Sequence, residues 1–207
     1  MSCPKSLRNV SLFVWSLLLF GLLAAVLAQK DAQQNRGSRA SFYTDSDAYA
    51  IYAVLLQSDK HPFYVVQTEI DAYPGMTAKD LGIEGGHAFM QVWGSVMDNY
   101  ARQNQNPKLL VRSIPVDVAY ELVPKSDMFK SQHGQPGWDD FYQRYSSSGG
   151  FYWFSAVGFN RQRTRAIVSM GHACGMLCGS GQPHFFEKQG TKWREVNVDP
   201  TIGVWAS

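Results

Sequence analysis

A chain of 207 residues with 45% hydrophobic and only 17% charged residues is long enough to bury one sizeable core and too apolar to be a disordered tail. Nineteen Lys and Arg against seventeen Asp and Glu leave a formal charge of +2, which excludes the dense basic surface that nucleic-acid binding draws on.

In chain order, the first 28 residues differ from the rest. Lys5 and Arg8 precede an uncharged apolar run from Val10 to Leu27, and Val26-Leu27-Ala28 places small residues where a signal peptidase reads them. Residues 1–28 are therefore expected to be a cleavable signal peptide, and the remainder to work outside the cytoplasm, in a periplasmic or extracellular setting. The competing expectation is an uncleaved transmembrane anchor, the one circumstance in which membrane contact is anticipated. Cleavage would remove two basic residues and no acidic one, leaving seventeen of each sign and a formally neutral domain. Residues 29–41 are polar, without an apolar period, and read as a flexible linker to a single domain over 42–207.

The domain is expected to open with a helix, since Asp45, Ser46 and Asp47 can cap it and Ala48, Ile51, Tyr52 and Leu55 recur at helical spacing. After Pro62, Phe63 to Ile70 is β-branched and aromatic and predicts one strand, ending near Pro74-Gly75. Phe89, Val92, Trp93, Val96, Met97 and Tyr100 form the apolar face of the clearest helix, which Asn106-Pro107 ends. Residues 109–123 alternate as a half-buried strand interrupted by Pro115. Pro136 begins a short helix with an aromatic face of Trp138, Phe141, Tyr142 and Tyr145.

The last third predicts strands at Phe151 to Phe159, Arg165 to Ala173, His184 to Lys188 and Lys192 to Val198, with turns at Asn160 to Thr164 and Gln189-Gly190. Short links between sequential strands predict an antiparallel β-meander in the C-terminal third, packed on one face against two or three helices: an α+β fold. The Arg161 to Arg165 cluster reads as a solvated turn. Glu69 and Asp71, and Asp139 and Asp140, have sufficient structural explanations on a strand face and at a helix start.

Residues 171–181, which join two of the strands, hold Cys174 and Cys178. In an oxidising compartment these are expected to form a disulfide that staples the connection; a three-residue gap containing Gly175 lets the sulfurs meet. Two other roles compete for the segment. A redox-active dithiol suits a two-residue spacer at a helix start better than this spacing. A zinc site would draw on His172, Cys174, Cys178 and His184, with an unusual ligand spacing. His172 and His184 also read simply as hydrogen-bonded histidines on facing strands. No metal or other cofactor is expected, and no catalytic residue can be named, because no nucleophile elbow, zinc-binding His-Glu-x-x-His or phosphate-binding loop occurs.

Several motifs carry a resemblance: Ser155-Ala156-Val157-Gly158-Phe159-Asn160, then Cys174-Gly175-Met176-Leu177-Cys178-Gly179-Ser180-Gly181, then Gly190-Thr191-Lys192-Trp193. Residues 150–207 resemble a family of uncharacterised bacterial exported proteins with such a strand, doubled cysteine–glycine loop and hairpin, Thr191 being a one-residue departure. The resemblance implies bacterial origin and a shared fold, and no activity. The expectation is an exported, non-enzymatic domain that binds a small molecule or a protein through the concave side of its sheet. The alternative is an extracytoplasmic hydrolase, or a thiol- or metal-dependent enzyme, using the region of His172, Cys174, Cys178 and His184.

Overall fold

The structure, a computed structural model, describes residues 40–71, 87–129 and 137–198, together with the backbone of a strand at 205–206, all within one compact unit, Ala40–Ser207. The expected signal segment, most of the expected linker, the Pro74-Gly75 turn and Pro136 lie outside the described residues. In order, the elements are β1 (Ser41–Tyr43), α1 (Ser46–Ser58), β2 (Phe63–Gln67), β3 (Glu69–Ile70), α2 (His87–Gln103), β4 (Lys108–Leu110), β5 (Ala119–Val123), α3 (Lys125–Met128), α4 (Trp138–Arg144), β6 (Ser148–Phe154), β7 (Gly158–Phe159), β8 (Arg165–Gly175), β9 (Cys178–Gln189), β10 (Lys192–Val196) and β11 (Trp205–Ala206).

The α+β expectation holds. The main sheet runs β10-β9-β8-β6-β2-β5, with β7 and β11 paired to β8 and β9 respectively. Its C-terminal part, β6-β8-β9-β10, is the antiparallel meander, whereas β2 lies parallel to both β5 and β6. A small second sheet, β1-β4-β3, takes in β3 and β4 the ends of segments that read in sequence as single strands, and in β1 residues at the close of the expected linker. The Phe63 to Ile70 strand divides at Thr68, whose N–H donates to the Val123 carbonyl and whose carbonyl accepts from Leu110 N–H, so the backbone passes from one sheet to the other without an unpaired group. The expected strand over 109–123 divides likewise into β4 and β5.

Asp45 caps α1 as expected, its Oδ1 accepting from the amides of Asp47 and Ala48. Alternating residues of the main sheet then meet different partners. Tyr152, Phe154, Val168 and Phe186 pack with α1, and Tyr52 stacks on Phe154 at 4.5 Å. From the opposite face, Ile167 and Phe185 pack against Trp93, Val96, Met97 and Tyr100 of α2; Val65, Val123 and Phe151 pack against α3 and α4. Helices therefore cover both faces of the main sheet, not one, with buried side chains packed on each. On α2, Val92 is exposed, so the apolar face is narrower than its spacing predicts.

Beside β10, Asp47 accepts from Lys188 Nζ, Arg163 Nε and Trp193 Nε1 at 2.8, 2.9 and 3.1 Å. Arg163 also reaches Asp45, and Arg165 pairs with Glu187, so two of the clustered arginines are engaged by carboxylates. Burial would raise the Asp47 carboxyl, but the three donors outweigh it and hold it at about 2. The stabilisation is thus present above the ordinary carboxylate pKa of 3.8 and lost as pH falls through about 2. Asp47→Asn is expected to cost about 2 kcal/mol at neutral pH. In urea titrations the gap between wild type and variant should close on acidification to pH about 2.

Candidate functional site

The region expected to be a loop at 171–181 is instead the outer half of a long ribbon of β8 and β9, flanked by β6 as far as Ala173 and by β11 at Ser180 and Gly181, so that only its tip is two-stranded. β8 and β9 stay paired to Gly175↔Cys178, with an irregularity between Ala173 and Gly175, leaving only Met176 and Leu177 in the turn. The side chains beneath this tip are small: Ala173, Gly175, Gly179, Ser180 and Gly181. Both tip residues are 88% exposed. The Cys174 and Cys178 Cα atoms lie 5.1 Å apart across the ribbon, with the sulfurs within bonding distance.

The root of the ribbon is held on both faces. His172 pairs with Tyr152 of β6, its ring stacked on the tyrosine at 4.4 Å and 17°, and its Nε2 lies 2.9 Å from the Gly149 carbonyl. On the other face Trp153 lies over Gly171, where an added Cβ would fall 2.1 Å from the indole. From α4, Tyr142 donates to the Cys174 carbonyl at 2.9 Å.

A polar cluster adjoins this root. Asp59 ends α1, with its Oδ2 2.5 Å from the Tyr152 hydroxyl and its Oδ1 3.2 Å from His61 Nε2. Tyr64 places its hydroxyl against the carbonyls of Leu56, at 2.6 Å, and Asp59. The rings of His61 and His172 are 6.4 Å apart, and His61 occupies the space that a side chain at Gly149 would need. Burial first, then the hydrogen bond and charge of Asp59, push the Tyr152 hydroxyl well above its usual pKa, so it remains a donor. The Nε2 of each imidazole faces a fixed oxygen, Asp59 Oδ1 for His61 and the Gly149 carbonyl for His172. Asp59 and His61 retain 40% and 31% side-chain exposure, enough to hydrogen-bond a ligand.

The structure does not bring His184 to this cluster. His184 pairs with Val168, four residues along β8 from His172, a separation of roughly 13 Å along the strand. It is 7% exposed and hydrogen-bonded through Nδ1 to Glu195 at 2.6 Å, with no partner for Nε2. A shared ligand set of His172, Cys174, Cys178 and His184 is thus ruled out by register. Among the described residues no group of three or more His, Cys, Asp or Glu side chains is placed to hold a metal ion. Each of the two histidines has a hydrogen-bond partner on its own strand neighbourhood.

Sequence reasoning missed Asp59, His61 and Tyr152. The only local signal was the Asp59-Lys60-His61-Pro62 exit from α1, where proline forces the chain out of helix and sets two polar side chains at its end. Among the described residues no helix is long and apolar enough to cross a membrane. Comparison with known protein families, curated proteins and solved structures gives no match.

Proposed function

We propose that the chain is an exported, non-enzymatic binding domain that meets its target with the tip of the β8–β9 ribbon. The observation that carries this reading is the pair of adjacent aliphatic side chains, Met176 and Leu177, each 88% exposed at the end of a projection clamped at its root. A folded domain gains nothing from holding two such residues in water, and the ordered ribbon lowers the entropy that a contact would have to overcome.

The cysteines act as a staple. Joined across so short a ring, they stabilise the ribbon by about 2 kcal/mol. The Val10 to Leu27 run and the resemblance of residues 150–207 to exported bacterial proteins support delivery to a compartment where that bond persists. The Cys174→Ser/Cys178→Ser double variant should lose about that much stability in denaturant titration.

A photoreactive leucine analogue at 177, in the full chain made by living cells, tests the reading. Adducts are expected at 177 and not at a control label on exposed Gln189, the last residue of β9 at its other end; absence of adducts at 177 would refute it. A hydrolytic reading is favoured only by the Asp59–His61 pair. It requires turnover that His61→Ala abolishes while the melting temperature stays unchanged.

A further inference from the structure

We infer that the surface met by the tip is the interface of a lipid bilayer bearing no net charge, an assignment that rests on the proposed tip contact and names its target. Three observations lead there. The first is size: two side chains offer on the order of 200 Å² of apolar surface. A stable protein complex needs roughly 800 Å² on each partner, with shaped pockets. A bilayer interface asks for no shape complementarity and takes apolar groups to a depth of about 5–10 Å.

The second is the cost of entry. Between Arg165 and Glu187 the sequence holds no Asp, Glu, Lys or Arg, so the charged ends of the ribbon lie roughly 30 Å behind the tip. Backbone pairing runs outward to Gly175↔Cys178 and Tyr142 takes up the Cys174 carbonyl, so the inward-facing peptide groups that travel with the two side chains are paired.

The third is the sign of the nearby charge. Asp59 stands beside the root with exposed Lys60 next to it in the chain, while Asp139 and Asp140 begin the helix whose Tyr142 bonds the ribbon at Cys174. Arg144 on that helix is turned to the carbonyls of Asp127 and Met128. Surroundings with no basic excess suit a zwitterionic headgroup layer and offer an anionic one no attraction.

The test uses the full chain carrying the photoreactive leucine analogue at 177, mixed with phosphatidylcholine vesicles, irradiated and read by mass spectrometry. Lipid adducts at 177 should exceed those from a label at 189 by about tenfold or more, and the ratio cancels any association through the N-terminal run. Replacing part of the lipid with phosphatidylglycerol should not raise the yield at 177. Equal labelling at 177 and 189, or a yield that rises with anionic lipid, overturns the bilayer assignment. Protein adducts at 177 in cells, combined with no lipid adducts on vesicles, overturn it while leaving the tip contact standing; loss of both removes the two together.

Discussion

Asn104→Ala is expected to cost about 3 kcal/mol of folding stability, because it orphans buried backbone groups. Asn104 is fully buried just beyond α2; its Oδ1 accepts from Ala156 N–H at 2.8 Å, and its Nδ2 donates to the carbonyls of Ala156 and Tyr100 at 3.0 and 2.9 Å. One side chain thus satisfies both backbone groups of Ala156 in the break between β6 and β7, where no neighbouring strand does so. Alanine leaves them in apolar surroundings, with Val157 and Tyr43 close by and no route to water. Asn99 makes a similar bond to Phe159 N–H at 2.9 Å from a part-buried site, so Asn99→Ala should cost only about 1 kcal/mol. Chemical denaturation of the two variants compares these costs directly.

Gly150→Ala is expected to be as damaging, for a steric reason. Gly150 has φ +119°, where a side chain is strained, and an added Cβ would stand 2.1 Å from the Ala173 carbonyl oxygen and 2.9 Å from Cys174 Cα. The obstructing atoms are backbone, so relief requires β6 and the ribbon to part. Strain and overlap together imply roughly 3 kcal/mol. The distinctive readout is local: amide exchange from Ala173 to Gly179 should accelerate beyond the global loss, because separation starts at the root of the ribbon.

The elements most legible in the sequence were those whose signal is local. Asp45 and the Ala48, Ile51, Tyr52 and Leu55 spacing define α1 from within, as do the aromatic intervals of α4 and the Gln189-Gly190 turn. What sequence alone did not reveal depends on distant partners. The switch of sheets at Thr68 is decided by hydrogen bonds to Val123 and Leu110, some forty to fifty-five residues away in sequence. The outer ribbon reads as a loop because Gly171, Gly175, Gly179 and Gly181 depress strand propensity; the Trp153 indole explains why no side chain stands at Gly171. In sequence, His172 and His184 read as the two nitrogen donors of one possible zinc site. Strand register instead separates them and joins His172 to Tyr152, Asp59 and His61, which only the parallel placement of β2 beside β6 brings near.

Methionine oxidation by dilute peroxide, mapped by mass spectrometry on the purified full chain and on intact producing cells, tests the ribbon tip most directly. Met176 should oxidise far faster than buried Met97 and Met128 in the purified protein and be shielded in cells, while half-exposed Met90 changes little. A Met176 that reacts as slowly as Met97 when purified, or just as fast in cells as in solution, would contradict the assignment of the tip as the point of contact.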